Sequence, residues 1–397
     1  MSEIKTTTSK LVIARSISCF GSSFSDFVLP LLMYATTKNP SLLAAQWAIN
    51  ASSKVIAGKI AGRFHILQTN KQAIILLDIL QGIAALLPLL FWQSFPTTGT
   101  FISGLLISFL FTIQIGYIES SIFKMTEFLQ DETATRAVIN ASLENGKYIG
   151  QFLGYLCALA CSTLVGYKFA IIVDASTFFI SGLITLTLLD KSKNESKDKV
   201  KESFSLLFKN TRIVLLTMSQ CFLSFAIFIY NSSFTYTIKK TFLATDKAFA
   251  LFLVTQALTY ILGSFIAKKY KVLSLNWHFK MRSIYFMIFI GFFAATNYWQ
   301  FLIFNCLLSL LISFTQPQII AIFQSFTTKQ NSRSFGAARV SLMAISGIVG
   351  SVACAIFANT KFDYQNIFFV AACGCLLSII FFKYFIKHQE LYDDAHL

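Results

Sequence analysis

The sequence predicts an all-α membrane protein with twelve transmembrane helices in two pseudo-symmetric six-helix bundles. Three observations carry this. Of 397 residues, 55% are hydrophobic and only 13% are charged, where a soluble domain carries about a quarter charged. The apolar runs are about 20 residues long, enough to cross ~30 Å of hydrocarbon at ~1.5 Å per residue of helix. Weak self-similarity and one long polar break divide the chain in two.

The spans are predicted at 11–35, 41–61, 72–92, 99–123, 136–163, 168–189, 211–236, 247–267, 281–296, 299–322, 335–357 and 365–386. The first apolar run starts at Leu11 without a small-residue cleavage site, so it reads as span one rather than a signal peptide. Span two closes on Gly58-Lys-Ile-Ala-Gly-Arg63, and span eight on Gly263-Ser-Phe-Ile-Ala-Lys268, 205 residues later. The same offset relates Asp26 of span one to Asn231 of span seven, and duplication explains both matches. After span six comes DKSKNESKDKVKES, polar and free of aromatics. The expected domains are therefore 1–189 and 211–397, joined by a cytoplasmic linker at 190–210. Pro317 in span ten is placed to bend that helix.

The net charge of +15 is explained by topology, not nucleic acid. With the N-terminus inside, only Lys38, Lys168, Lys239, Lys240, Lys247 and Lys361 fall outside. Lys54 and Lys147 lie within spans, and the other 25 of 33 basic residues lie inside. The positive-inside rule then puts both termini in the cytoplasm. The expected location is a bacterial inner membrane, and the expected state a monomer. The eight cysteines sit in apolar runs as small packing residues. The four histidines (His65, His278, His388, His396) fall in predicted loops or the tail, so none is expected within the membrane. No nucleotide-binding loop or hydrolase motif occurs. No enzyme activity, cofactor or metal is expected.

Three stretches carry a family likeness: ARSISCFGSSFSDFVLPLLMYATTKNPSLLAAQW from Ala14, TRAVINASLENGKYIGQFLGY from Thr135, and VDASTFFISGL from Val173. They resemble the major facilitator superfamily, in the branch of the enterobactin exporter and macrolide efflux proteins. Coverage is best over the first half. The resemblance implies a secondary transporter, and a span-one carboxylate that couples transport to protons. The chain departs from the family pattern in three places. Gly62 replaces the acidic residue of the loop after span two. Span four has Gln114 and Gly116 but no arginine. Gly150 is followed by Gln151 where antiporters carry proline.

Charged groups inside a membrane are costly, so each is a candidate for function. Asp26 ends a polar stripe of Ser18, Ser22 and Asp26 at helical spacing. It reads as a proton-coupling and substrate-binding residue, or as a buried packing residue. In span five, Asn140, Glu144, Lys147 and Gln151 recur every three or four residues and share a face expected to line a cavity. Glu144 and Lys147 are close enough to pair, which leaves open a coupling role for Glu144 or a purely structural pair. Gly146, Gly150 and Gly154 form a second stripe that lets a neighbouring helix approach. Lys54 either snorkels to the interface or stands as a cavity cation. Gly58, Arg63 and Asp78 are expected at a cytoplasmic gate, with Asp78 pairing to Arg63 or another cytoplasmic base, or handling substrate. Arg15 reads as an interface anchor. In the second half, Tyr230, Asn231 and Gln256 are the expected substrate contacts.

The function expected is alternating-access transport of a small amphipathic, anionic solute, siderophore- or drug-like, by ion-coupled export across the lipid bilayer. Two alternatives stay open: import of a nutrient or metal chelate, and a transporter-shaped sensor or lipid-handling protein.

Overall fold

The computed structural model describes residues 8–23, 40–61, 70–90, 96–126, 132–161, 167–187, 208, 210–270, 274–327, 332–358 and 366–394. Twelve long helices are present among them, and no strand. Helix α1 covers 8–23. It is followed by α2 (Pro40–Ala61), α3 (Asn70–Leu90), α4 (Pro96–Thr126), α5 (Glu132–Cys161) and α6 (Tyr167–Leu186). The later helices are α7 (Thr211–Tyr236), α8 (Asp246–Lys269), α9 (Leu275–Ala294), α10 (Tyr298–Ser325), α11 (Ser332–Ala358) and α12 (Asn366–Asp394). Eight described segments are long and apolar enough by themselves to cross a membrane. The chain is an integral, multi-pass membrane protein.

Several helix starts are set locally. Asn210, Thr245 and Asn297 cap α7, α8 and α10, each accepting a backbone N–H of the first turn in its side-chain oxygen. These bonds satisfy donors that have no intrahelical partner. Helix α7 ends in a π-helical turn, Thr237–Thr241, and Leu243 beyond it takes a positive φ of 50°. Helix α10 runs on through Pro317 to Ser325. Span nine starts well before its expected range: the helix begins at Leu275, six residues before the predicted start at 281. Its first turns carry His278, Lys280 and Arg282, and these lower the hydropathy on which the prediction relied.

Helix α3 packs on both α4 and α6, and α12 packs on both α7 and α9. The early helices meet the late ones through α2 against α11 and α5 against α8, with α4 also touching α11 and α5 touching α10. The largest apolar core surrounds Tyr230 with Phe249, Phe252, Phe292, Phe301 and Phe368, all fully buried. The linker expected at 190–210 lies almost wholly outside the described residues.

Helix α1 lies directly on the glycines of α5. A methyl group at Gly150 would overlap the carbonyl oxygen of Ser16. Val12 crowds Gly146, and Phe20 and Ser23 crowd Gly154. Backbone meets backbone here because no side chain intervenes. Gly150→Leu should lower the thermal midpoint of the purified protein sharply, since overpacking costs about 1–3 kcal/mol or more. Leu153→Val, on the lipid-facing side, should leave it unchanged. A Gly150→Leu protein that melts with wild type would refute this packing.

Candidate functional site

The orientation of α5 locates the site. Its Ile149, Leu153 and Leu156 are 42%, 47% and 38% exposed, as lipid-facing residues are. At about 100° per residue, Asn140, Glu144, Lys147 and Gln151 fall on the opposite face, toward the protein interior. Three of them are half-buried there, and Asn140 is buried. Lys147 Nζ lies 3.2 Å from Glu144 Oε2, with side chains 29% and 27% exposed. A pair that is accessible yet turned away from lipid stands in a recess inside the protein.

The pair is tied to the second half of the chain. Tyr148, adjacent to Lys147, is within hydrogen-bonding reach of Glu144. Its ring stacks on that of Tyr260 in α8, with centroids 4.4 Å apart and planes 12° apart. The Tyr260 hydroxyl is hydrogen-bonded to Ser309 of α10. Ser309 reaches Asn305 Oδ1 at 3.5 Å. Asn305 Oδ1 also accepts the Tyr230 hydroxyl and, at 3.1 Å, the Gln256 amide. Gln256 donates to the Tyr230 hydroxyl as well, again at 3.1 Å. A chain of contacts, hydrogen bonds interrupted by one ring stack, thus runs from the ion pair of α5 into the core formed by α7, α8 and α10.

Two bonds latch the early and late helices. Asn140 Nδ2 donates to Gln324 Oε1 of α10 at 3.1 Å. The hydroxyl of Ser341 in α11 donates to the carbonyl oxygen of Lys54 at 2.6 Å. Ala57 and Ala337 pack beside the second latch in one apolar cluster. All these groups lie near the helix ends expected to face the cytoplasm. Asn140 therefore serves as a latch in this conformation.

The remaining expected residues separate. Among the described residues, no cytoplasmic base is hydrogen-bonded to Asp78, and the expected partner Arg63 lies outside them. Asp78 is buried, accepting Gln114 Nε2 at 2.7 Å and Ser181 Oγ at 3.1 Å. Gln81 donates in turn to Gln114 at 3.1 Å. The desolvated carboxylate is held by amide and hydroxyl donors, with an attraction from Arg15. Arg15 is more than an interface anchor: it attracts Glu144 too, and its guanidinium lies 4.6 Å over the Phe111 ring. Lys54 and Asn231 are half-buried. Gly58 is in the last turns of α2. Asp26 and Arg63 lie outside the described residues.

Sequence reasoning missed Asn305, Ser309, Tyr260 and Tyr148 because polar and aromatic residues are frequent along these spans. The i, i+4 spacing of Asn305 and Ser309 was the available signal. His278 corrects the expectation that histidines stay in loops: it lies in α9 and is fully buried. Arg282, one turn on, was given no role and is 2% exposed.

Sequence comparison matches the chain to no family model and to no curated protein. Structure comparison gives full-length matches. A bacterial homologue of the iron transporter ferroportin, in an outward-facing state, is 14% identical with a TM-score of 0.73, over 96% of this chain and 99% of that one. A human organic anion transporter is 10% identical with a TM-score of 0.74, over the same shares of the two chains. A major facilitator superfamily transporter in the outward conformation is 13% identical with a TM-score of 0.69, over 96% and 99%. The chain has the major facilitator fold. The matched proteins are diverse, so the narrower likeness to enterobactin and macrolide exporters rests on the sequence stretches alone.

The network within the late helices of this major facilitator fold can be weighed by substitution. Tyr230→Phe removes one donor and should cost about 1 kcal/mol. Asn305→Leu strands two buried groups and should cost about 1–3 kcal/mol or more. Thermal midpoints should rank wild type above Tyr230→Phe above Asn305→Leu. An Asn305→Leu protein as stable as wild type would show that the network contributes nothing.

Proposed function

We propose that the protein is a secondary transporter that carries a small amphipathic solute with an anionic group, siderophore- or drug-like, by alternating access and ion-coupled export. The observation that supports this most is the accessible Glu144–Lys147 pair on the interior face of α5, beside the contact between early and late helices. An anionic group of the solute would replace Glu144 as the partner of Lys147, and the stacked Tyr148 and Tyr260 offer an apolar wall. The major facilitator fold supports alternating access, and a neighbour in fold is an organic anion transporter. Proton coupling is assigned to Glu144, and to Asp26 from the sequence alone.

One feature favours import as a second reading. A proton on Glu144 would release Lys147 for the solute anion. Proton and anion would then bind together rather than compete, as symport requires.

Metabolite profiles of a deletion strain separate the two directions. Loss of an exporter leaves the solute accumulated inside; loss of an importer leaves it outside. No difference in any solute would remove transport as the function. Once the solute is known, Lys147→Gln should reduce its transport at least tenfold in proteoliposomes while the thermal midpoint is retained. Equal transport by Lys147→Gln would take the pair out of the site.

The latches give a separate check. In a background free of native cysteines, Asn140→Cys with Gln324→Cys should cross-link under mild oxidation and stop transport. A reductant should restore it. A cross-linked protein that transports at the full rate would show that α5 and α10 need not part.

A further inference from the structure

Arg282 is a buried cation whose charge nothing among the described residues balances. It is 2% exposed on α9. Its Nε donates to the hydroxyl of Ser219 in α7 at 2.9 Å, and its guanidinium carbon lies 4.0 Å over the Phe382 ring of α12. Its Nη2 is buried without a hydrogen-bond partner. One helical turn earlier, His278 is fully buried on the same face of α9. Neither ring nitrogen makes a full hydrogen bond, although the Gln318 side chain is beside it. Arginine does not shed its proton in proteins. An uncompensated buried guanidinium is therefore costly, and a serine hydroxyl and a phenyl ring do not neutralise it.

The internal repeat shows what is missing. At a spacing of 204, one residue short of the 205 that relates Gly58 to Gly263, Ser219, Arg282 and Gln318 follow Arg15, Asp78 and Gln114, on helices α7, α9 and α10 that stand in the order of α1, α3 and α4. In the first half the α3 position holds a carboxylate, bonded by Gln114 and Ser181 and attracted by Arg15. There an anion is built into the chain and surrounded by donors. In the second half Gln318 keeps the place of Gln114, Ser219 stands in the place of Arg15, and an arginine occupies the position of the acid, with no anion among the described residues to meet it.

We propose that Arg282 and His278 form a receptor for one phosphate-type oxyanion, distinct from the Glu144–Lys147 site. The planar fork of arginine suits two oxygens of a phosphate. Arg282 lies about 10 Å along α9 from Leu275, at ~1.5 Å per residue. At that end of the helix Trp277 is exposed, with Lys280 over its ring at 5.4 Å. This combination suits a membrane interface rich in phosphate headgroups. The oxyanion is supplied either by an anionic phospholipid or by free phosphate, and it enters as α9 and α12 separate.

The test uses the full-length protein purified in zwitterionic detergent. Thermal midpoints are measured with inorganic phosphate in one arm, and in phosphatidylglycerol against phosphatidylcholine nanodiscs in the other. One arm should raise the wild-type midpoint by several degrees and thereby name the source. Arg282→Met should be as stable as wild type or more so without the anion, because the unpaired charge is gone, and should show no shift with it. Lys280→Gln, at the surface, should keep the shift. No shift of wild type in either arm, or an equal shift for Arg282→Met, would overturn the proposal. If Arg282→Met does not fold, native mass spectrometry of wild type decides: retained phospholipid or phosphate supports the site, and an anion-free protein refutes it.

Discussion

In a bilayer, a polar group that finds no partner within the protein finds none at all, and this constraint organises the whole molecule. Asp78 illustrates it. A carboxylate in the middle of α3 is tolerable because Gln114 of α4 and Ser181 of α6 donate to it, and Gln81 in turn donates to Gln114. These bonds set the relative rotation of α3, α4 and α6 as firmly as the apolar contacts do. Tyr230, Gln256 and Asn305 do the same for α7, α8 and α10. Here one amide oxygen accepts two donors inside a shell of phenylalanines. Partly satisfied networks are expensive in such surroundings, so each of these fixes its helices strongly.

The contact between early and late helices is extensive, and α2 against α11 is its largest part. It combines apolar packing, single hydrogen bonds, one pair of stacked tyrosines and an edge contact of Trp47 on Phe228. None of these buries an unpaired charge when it opens, because amides and hydroxyls are readily hydrated. The early and the late helices each hold a buried polar network, around Asp78 and around Asn305, whereas the described hydrogen bonds between early and late helices are single ones. The Glu144–Lys147 pair lies on α5, which packs against α8 and α10 of the late helices.

Much of this was legible in the sequence. The spacing of Asn140, Glu144, Lys147 and Gln151 assigns them to one face of α5, since helical periodicity is local. The Gly146, Gly150 and Gly154 stripe follows from the same geometry, as does the pairing of Lys147 with Glu144. Other features were not legible, because their partners are distant in the chain. Nothing near Asp78 indicates that Gln114 and Ser181 will hold it. Asn140 was expected to face solute, and the residue that claims it, Gln324, is 184 positions away. His278 and Arg282 follow a polar loop, and their charge made them resemble its continuation until the helix was seen to start at Leu275.

The sequence by itself determined that the chain enters the membrane many times, where most spans lie, and which face of α5 is polar. These properties depend on hydropathy and on an angle of ~100° per residue, and both are carried by neighbouring residues. Only the tertiary structure decided which helix occupies each face. It placed Ser16 against Gly150, Tyr260 against Tyr148 and Gln324 against Asn140, and it left Arg282 without a carboxylate among the described residues. The physical reason is that lipid and protein interior are equally apolar, so hydropathy cannot tell them apart. The choice between them falls to close packing and to polar groups that must find one another across the bundle.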